Sequence, residues 1–146
     1  MKDVAEIITA LDLQPLAGEG GMWAPIFNNG AASAIYFLIE DPDFSAWHRI
    51  PEQEMWIHVA GSPTILYTYD EGGECLRQNL DNSSLAFQTV VKPYQWMAAR
   101  SAGPWSLVIC ALTPAFTGME LATRQQVASW QIEGFSDQEI MGLLHE

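Results

Sequence analysis

Val4, Ile7, Ile8 and Leu11 recur one helical turn apart, which predicts a short amphipathic helix over about 3–12, terminated by Pro15 and the Gly18 to Gly21 region. The period then shortens. The runs Ala34 to Glu40, Glu54 to Ala60, Pro63 to Tyr69, Cys75 to Leu80, Phe87 to Lys92, Gln95 to Arg100 and Trp105 to Thr113 are brief and rich in β-formers. Turn chemistry such as Asn28-Asn29-Gly30, Asp41-Pro42-Asp43 and Ala102-Gly103-Pro104 separates them, as in a sandwich or barrel. Asp70-Glu71-Gly72-Gly73 is the clearest hairpin signal. Beyond Phe116 a helical pattern returns, with Leu121, Val127 and Ile132 as predicted buried positions. Ser136-Asp137-Gln138-Glu139 reads as a capping box ahead of Ile140, Leu143 and Leu144. The predicted organisation is one domain over 1–146: a helix at about 3–12, a β-barrel at about 20–116 and a helical tail at about 119–145.

Charge narrows the class of partner. The 146 residues carry a formal net charge of −12 with only six Lys and Arg, so clustered basic side chains for nucleic acid or anionic membrane surfaces are lacking. No apolar run is long enough to span a bilayer, and Asp3 and Glu6 stand where a signal peptide is basic and then apolar. The expected location is the cytoplasm, with Cys75 and Cys110 as reduced thiols rather than a disulfide framework. The expected partner is a small molecule.

The stretch from Phe44 to Gly61 concentrates the acid/base chemistry. Alternation along a strand aims Glu54, Trp56 and His58 at one face, with Trp47 turned away, and His48 is read as facing Glu54 across a hairpin. Burial raises the pKa of such a carboxylate and lowers that of the imidazole, while pairing opposes both shifts, so His48, Glu54 and His58 are the predicted catalytic residues for proton transfer. The alternative is a buried His48–Glu54 hydrogen bond that ties strands together without chemistry. Trp23, Trp56 and Trp96 are candidates to line a ligand cavity, joined by Tyr36, and by Met97 and Cys110 as soft apolar wall. Arg100 is a candidate clamp for a carboxylate or phosphate, and Arg49 reads as a surface ion pair.

Several short motifs carry a resemblance. His48, Glu54 and Gly61 are spaced as in the first motif of the cupin superfamily, whose fold is a small jelly-roll β-barrel. Leu13-Gln14-Pro15-Leu16, Glu19-Gly20-Gly21, Ser33 to Leu38, His48-Arg49, Glu54-Met55-Trp56, Ala60-Gly61 and Thr113-Pro114-Ala115-Phe116 resemble a single-domain branch of bacterial and fungal cupins. The resemblance implies an all-β jelly roll flanked by a short N-terminal helix and C-terminal helices, a homodimer, and Glu19-Gly20-Gly21 near the barrel mouth. Metal-binding cupins supply three histidines and a glutamate, whereas Ile50 stands at the second histidine and Met97 or Ala98 at the last. Only His48 and Glu54 remain as good donors, and His58 lies roughly 13 Å along the strand from Glu54. The expectation is therefore an enzyme without metal or cofactor, of isomerase, epimerase, dehydratase or cyclase type. The alternatives are a non-catalytic ligand-binding cupin and a metal-dependent cupin with a reduced ligand set.

Overall fold

The computed structural model describes residues 3–145. Helix α1 (Val4–Leu11) starts at Asp3, whose side chain accepts from the Glu6 N–H at 2.9 Å, and ends at Asp12 in the left-handed conformation. Eleven strands follow among the described residues: β1 (Gln14–Pro15), β2 (Met22–Asn28), β3 (Ser33–Glu40), β4 (Ser45–Arg49), β5 (Gln53–Gly61), β6 (Thr64–Tyr69), β7 (Cys75–Leu80), β8 (Gln88–Val91), β9 (Trp96–Ser101), β10 (Trp105–Thr113) and β11 (Glu120–Leu121). Short helices α2 (Arg124–Ala128) and α3 (Asp137–Met141) close the described chain.

The strands form two antiparallel sheets, ordered β1-β2-β3-β10-β5-β8 and β11-β4-β9-β6-β7. This is the jelly roll expected from the sequence. The Asp70–Gly73 hairpin is present, with Tyr69 paired to Cys75 across it. Strand β2 lies outside the predicted runs because Pro25 and the flanking glycines mask its alternation, and its pairing with β3 shifts register between Pro25 and Phe27. The β4–β5 unit is not a hairpin. Its two strands belong to opposite sheets, so the turn at Ile50 to Glu52 is a corner that carries the chain across the core.

Alternation along the strands divides the apolar side chains into three clusters. Between the sheets lie Phe37, Ile39, Ile50, Trp56, Leu66, Met97, Val108 and Leu112. On the outer side of the first sheet, α1 packs Ile7 against Leu38 and Leu107. On the outer side of the second sheet, the C-terminal helices pack Val127, Trp130, Ile140 and Leu143 over Trp47, Tyr67 and Trp96. Trp130 is the centre of that layer, with ring centroids 5.3 Å from both Trp47 and Trp96.

The tail departs from the sequence reading at two points. Leu121 is exposed rather than buried, because β11 places it on the edge of the sheet beside His48. Ser136 caps α3 by accepting from the Glu139 N–H, but the Glu139 carboxylate does not return to the cap; it takes the Tyr67 hydroxyl and the Arg77 guanidinium instead. A full capping box occurs at Thr123 and Gln126 of α2.

Candidate functional site

One cavity of about 280 Å³ opens between the sheets. Strand β5 contributes Glu54 and Trp56 at alternate positions, and β10 places Cys110 directly opposite Trp56 and Leu112 opposite Glu54. His48 enters from β4 in the other sheet. Trp23 and Phe27 come from β2, Ser33, Ile35 and Phe37 from β3, and Phe116 and Met119 from the connection after β10. The remaining acidic wall residue is Glu19, from the turn between β1 and β2.

That turn is shaped by backbone constraints. Gly20 and Gly21 both have positive φ, and a Cβ on Gly20 would lie 2.2 Å from the Phe44 carbonyl oxygen. A Cβ on Gly21 would lie 2.6 Å from the Phe37 ring. The Gly21 N–H donates to Asp43 at 2.8 Å, and Ala46 N–H donates to the Glu19 carbonyl at 2.8 Å. The carboxylate of Glu19 is thereby carried inward, where the Ser45 hydroxyl donates to it at 2.6 Å in a buried contact.

His48 is 3% exposed. Its Nδ1 lies 2.7 Å from the Ala46 carbonyl oxygen, which can only accept, so Nδ1 carries the proton and Nε2 is the basic nitrogen of the neutral ring. Nε2 faces Glu19 Oε1 at 3.7 Å. Glu54 accepts from the Trp56 indole N–H at 3.1 Å. Burial pushes the Glu54 carboxyl up to about 7; nearby His48 opposes that rise, and the charges of Glu19 and Glu52 reinforce it. Glu52 is itself buried, one oxygen accepting from the Thr117 hydroxyl at 2.7 Å and the other without a partner. Burial, and then the charges of Glu54 and Glu19, hold the Cys110 thiol well above its ordinary range, so it is a neutral apolar wall rather than a nucleophile.

The structure therefore gathers Trp23, His48, Glu54, Trp56 and Cys110 around one cavity and places the other predicted site residues elsewhere. His58 points inward at the far end of β5, where Nδ1 meets the Thr64 hydroxyl at 2.9 Å and Nε2 is buried without a partner. Burial lowers its pKa. Met97 faces the core directly opposite His48 but is sealed beneath the cavity. Neighbouring positions on a strand face opposite sides, so Trp96 and Arg100 lie on the outer side of β9. Trp96 packs under the C-terminal helices and donates to Glu71, and Arg100 borders a surface groove with Asp41, Asp43 and Glu139. Tyr36 joins the outer cluster under α1 by the same parity. Arg49 pairs with Glu120 at 3.0 Å and lies over the Trp96 ring, as its surface reading expected. Glu19 is the cavity carboxylate that pattern reading did not single out. Its signal was the Glu-Gly-Gly turn, but only the fold brings it to His48.

A family model described as Cupin superfamily (DUF985) matches residues 5–122. The chain belongs to this cupin family. No curated protein matches it in sequence. Among solved structures, a Shewanella oneidensis protein is 23% identical with a TM-score of 0.87, and the match covers 99% of each chain. A hypothetical protein from Leishmania major is 20% identical with a TM-score of 0.86, over 99% of this chain and 100% of that one. An oxalate decarboxylase from Lactobacillus farciminis is 13% identical with a TM-score of 0.63, over 92% of this cupin and 42% of that chain. At these identities the likeness concerns the fold.

Metal-binding cupins draw on a set of histidines that this chain does not reproduce. Ile50 lines the cavity in place of one, Met97 is a buried thioether, and Cys110 is held as the thiol. Glu19 is engaged by Ser45 and Glu54 by Trp56. Among the described residues, no three His, Cys, Asp or Glu side chains are placed to share a metal ion. The donor set does not fit a first-row metal centre.

Proposed function

We propose that this cupin is a small-molecule enzyme that moves protons with its own side chains, in an isomerisation, epimerisation, elimination or cyclisation. The observation that supports this most is the pairing of a carboxyl raised to about 7, Glu54, with an imidazole presenting its basic Nε2 in one largely apolar cavity. His48 Nε2 takes a proton from the substrate, and Glu19, oriented by Ser45, stabilises the imidazolium that forms. Protonated Glu54 gives its proton to a developing oxyanion or leaving group. One proton is taken and one given, so the step is neutral overall and a proton exchange resets the pair. Glu19 and Ser45 act as positioning residues. The free thiols of Cys75 and Cys110 suit a reducing, cytoplasmic setting.

The test is isotope exchange. The purified protein is incubated in D2O with a small-molecule extract, and mass spectrometry seeks compounds that gain deuterium at carbon. Glu54→Gln and His48→Asn are each expected to slow the exchange by about 10²–10⁴-fold while the protein stays folded. Labelling that survives both changes, or never occurs, rejects the proposal. The predominance of apolar walls also suits a non-catalytic binding protein. A molecule retained in native mass spectra but never labelled would assign that role.

A further inference from the structure

The charges in the cavity wall have one sign. Glu19 and Glu54 face the cavity, and none of the residues lining it is a lysine or arginine. Three arginines are committed elsewhere: Arg49 to Glu120 and Glu71, Arg77 to Glu139, and Arg100 to the outer groove. His48 is the one imidazole of the wall, and Glu19 already stands opposite its Nε2 at 3.7 Å. Glu54 is left facing the cavity, accepting from the Trp56 indole N–H, with no lysine or arginine in the wall beside it. The net charge of −12 adds a negative field to the whole molecule.

The apolar half of the wall has its own signature. Trp23, Phe27, Phe37, Trp56 and Phe116 give an aromatic lining. Phe27 and Phe116 are 46% and 48% exposed, large rings at the rim that the chain itself leaves uncovered. Aromatic faces attract cations as well as apolar groups. The volume, about 280 Å³, lies at the lower edge of the roughly 300–1,000 Å³ usual for ligand pockets, so the occupant is small.

We propose that the cavity takes a small aromatic or alicyclic molecule bearing a protonated amine, with its ammonium group against Glu19 and Glu54 and its apolar body among Trp23, Phe27, Trp56 and Phe116. Carboxylates, sugar phosphates and nucleotide sugars are disfavoured by the same wall, because a buried anion would meet the acidic side chains of Glu19 and Glu54 and no lysine or arginine to offset its desolvation. An ammonium supplies the counter-charge that burial withholds from Glu54, and the proton it passes to that raised carboxyl leaves the neutral amine and the protonated acid that the proposed proton transfer uses. The inference rests on the proposed site, and narrows its substrates to amines and their imine or enamine forms, whose isomerisation or ring closure needs proton transfer alone.

Three probes of one skeleton test it: tryptamine as cation, tryptophol as neutral analogue and indole-3-propionate as anion, titrated calorimetrically at pH 8. Tryptamine is expected to bind at least about ten-fold tighter than tryptophol, with indole-3-propionate the weakest. Glu54→Gln is expected to reduce the tryptamine affinity about ten-fold and leave tryptophol within about two-fold. An anion that binds as well as the amine, equal affinity for amine and alcohol, or no binding of any probe at about 10 mM each overturns the inference. The ranking on the unsubstituted protein decides the matter even if the variant fails to fold. No turnover enters the measurement, so a positive ranking with no isotope exchange rejects only the enzymatic reading, and exchange on an anion rejects only this one.

Discussion

At the scale of single residues, Glu54 is held where its charge is costly. Its ordinary pKa of 4.5 is raised to about 7 in the folded protein, chiefly by burial. Between those values the folded state keeps a proton that the unfolded state releases. The resulting stabilisation is complete below pH 4.5 and is lost as the pH rises through 7. Across the full window the loss is on the order of 3 kcal/mol. Urea unfolding at pH 5, 6, 7 and 8 is expected to show this decline in the native sequence and a flatter profile in Glu54→Gln, with the variant gaining most above pH 7. Equal slopes would show that Glu54 is not the source. A carboxylate that weakens the fold at neutral pH fits a residue kept for function rather than stability.

At the scale of elements, the turn between β1 and β2 sets the acidic corner of the cavity. Its two glycines permit the close approach to Phe44 and Phe37, and Ser45 at the start of β4 fixes the Glu19 carboxylate. Ser45→Ala removes a buried hydrogen bond to a charged group, with an expected cost of about 1.5–3 kcal/mol by urea unfolding. The same change is expected to weaken tryptamine binding, because the freed carboxylate no longer has one position. Gly20→Ala forces a Cβ against a backbone oxygen and requires the turn to move, so a loss of several kcal/mol is expected, on the order of the larger single-residue effects. Unchanged stability in Gly20→Ala would mean that the turn relaxes freely.

At the scale of the molecule, the tail beyond the family match is part of the fold. The match ends at residue 122, yet Val127, Trp130, Ile140 and Leu143 cover the outer face of the second sheet. Trp47 and Tyr67 of that face are fully buried, and each large apolar side chain contributes about 1.5–3 kcal/mol when covered. The Leu143 carbonyl also accepts from the Trp47 N–H at 3.0 Å, directly beside His48 in the chain. Deleting residues 123–146 is expected to expose this aromatic face and to abolish a cooperative thermal transition, with aggregation on heating. A truncated protein that melts cooperatively within a few degrees of the full chain would show that the sheets stand without the tail.

Local patterns in the sequence determined much of this architecture: the helix at the start, the hairpin at Asp70–Gly73, the inward alternation of Glu54 and Trp56, and the outward turn of Trp47. Each depends on periods of two or 3.6 residues and on turn chemistry within a few positions. Tertiary structure alone decided who meets whom in the cavity. The corner between β4 and β5 sent His48 and Glu54 to opposite sheets, and the Glu-Gly-Gly turn, 29 residues before His48 in the chain, supplied its carboxylate neighbour. His58 shares the inward face with Glu54, but strand length carries it beyond the cavity, to Thr64. Alternation specifies the side of a sheet that a residue occupies. Its depth, and its partners from distant strands, are set by how the two sheets close on each other.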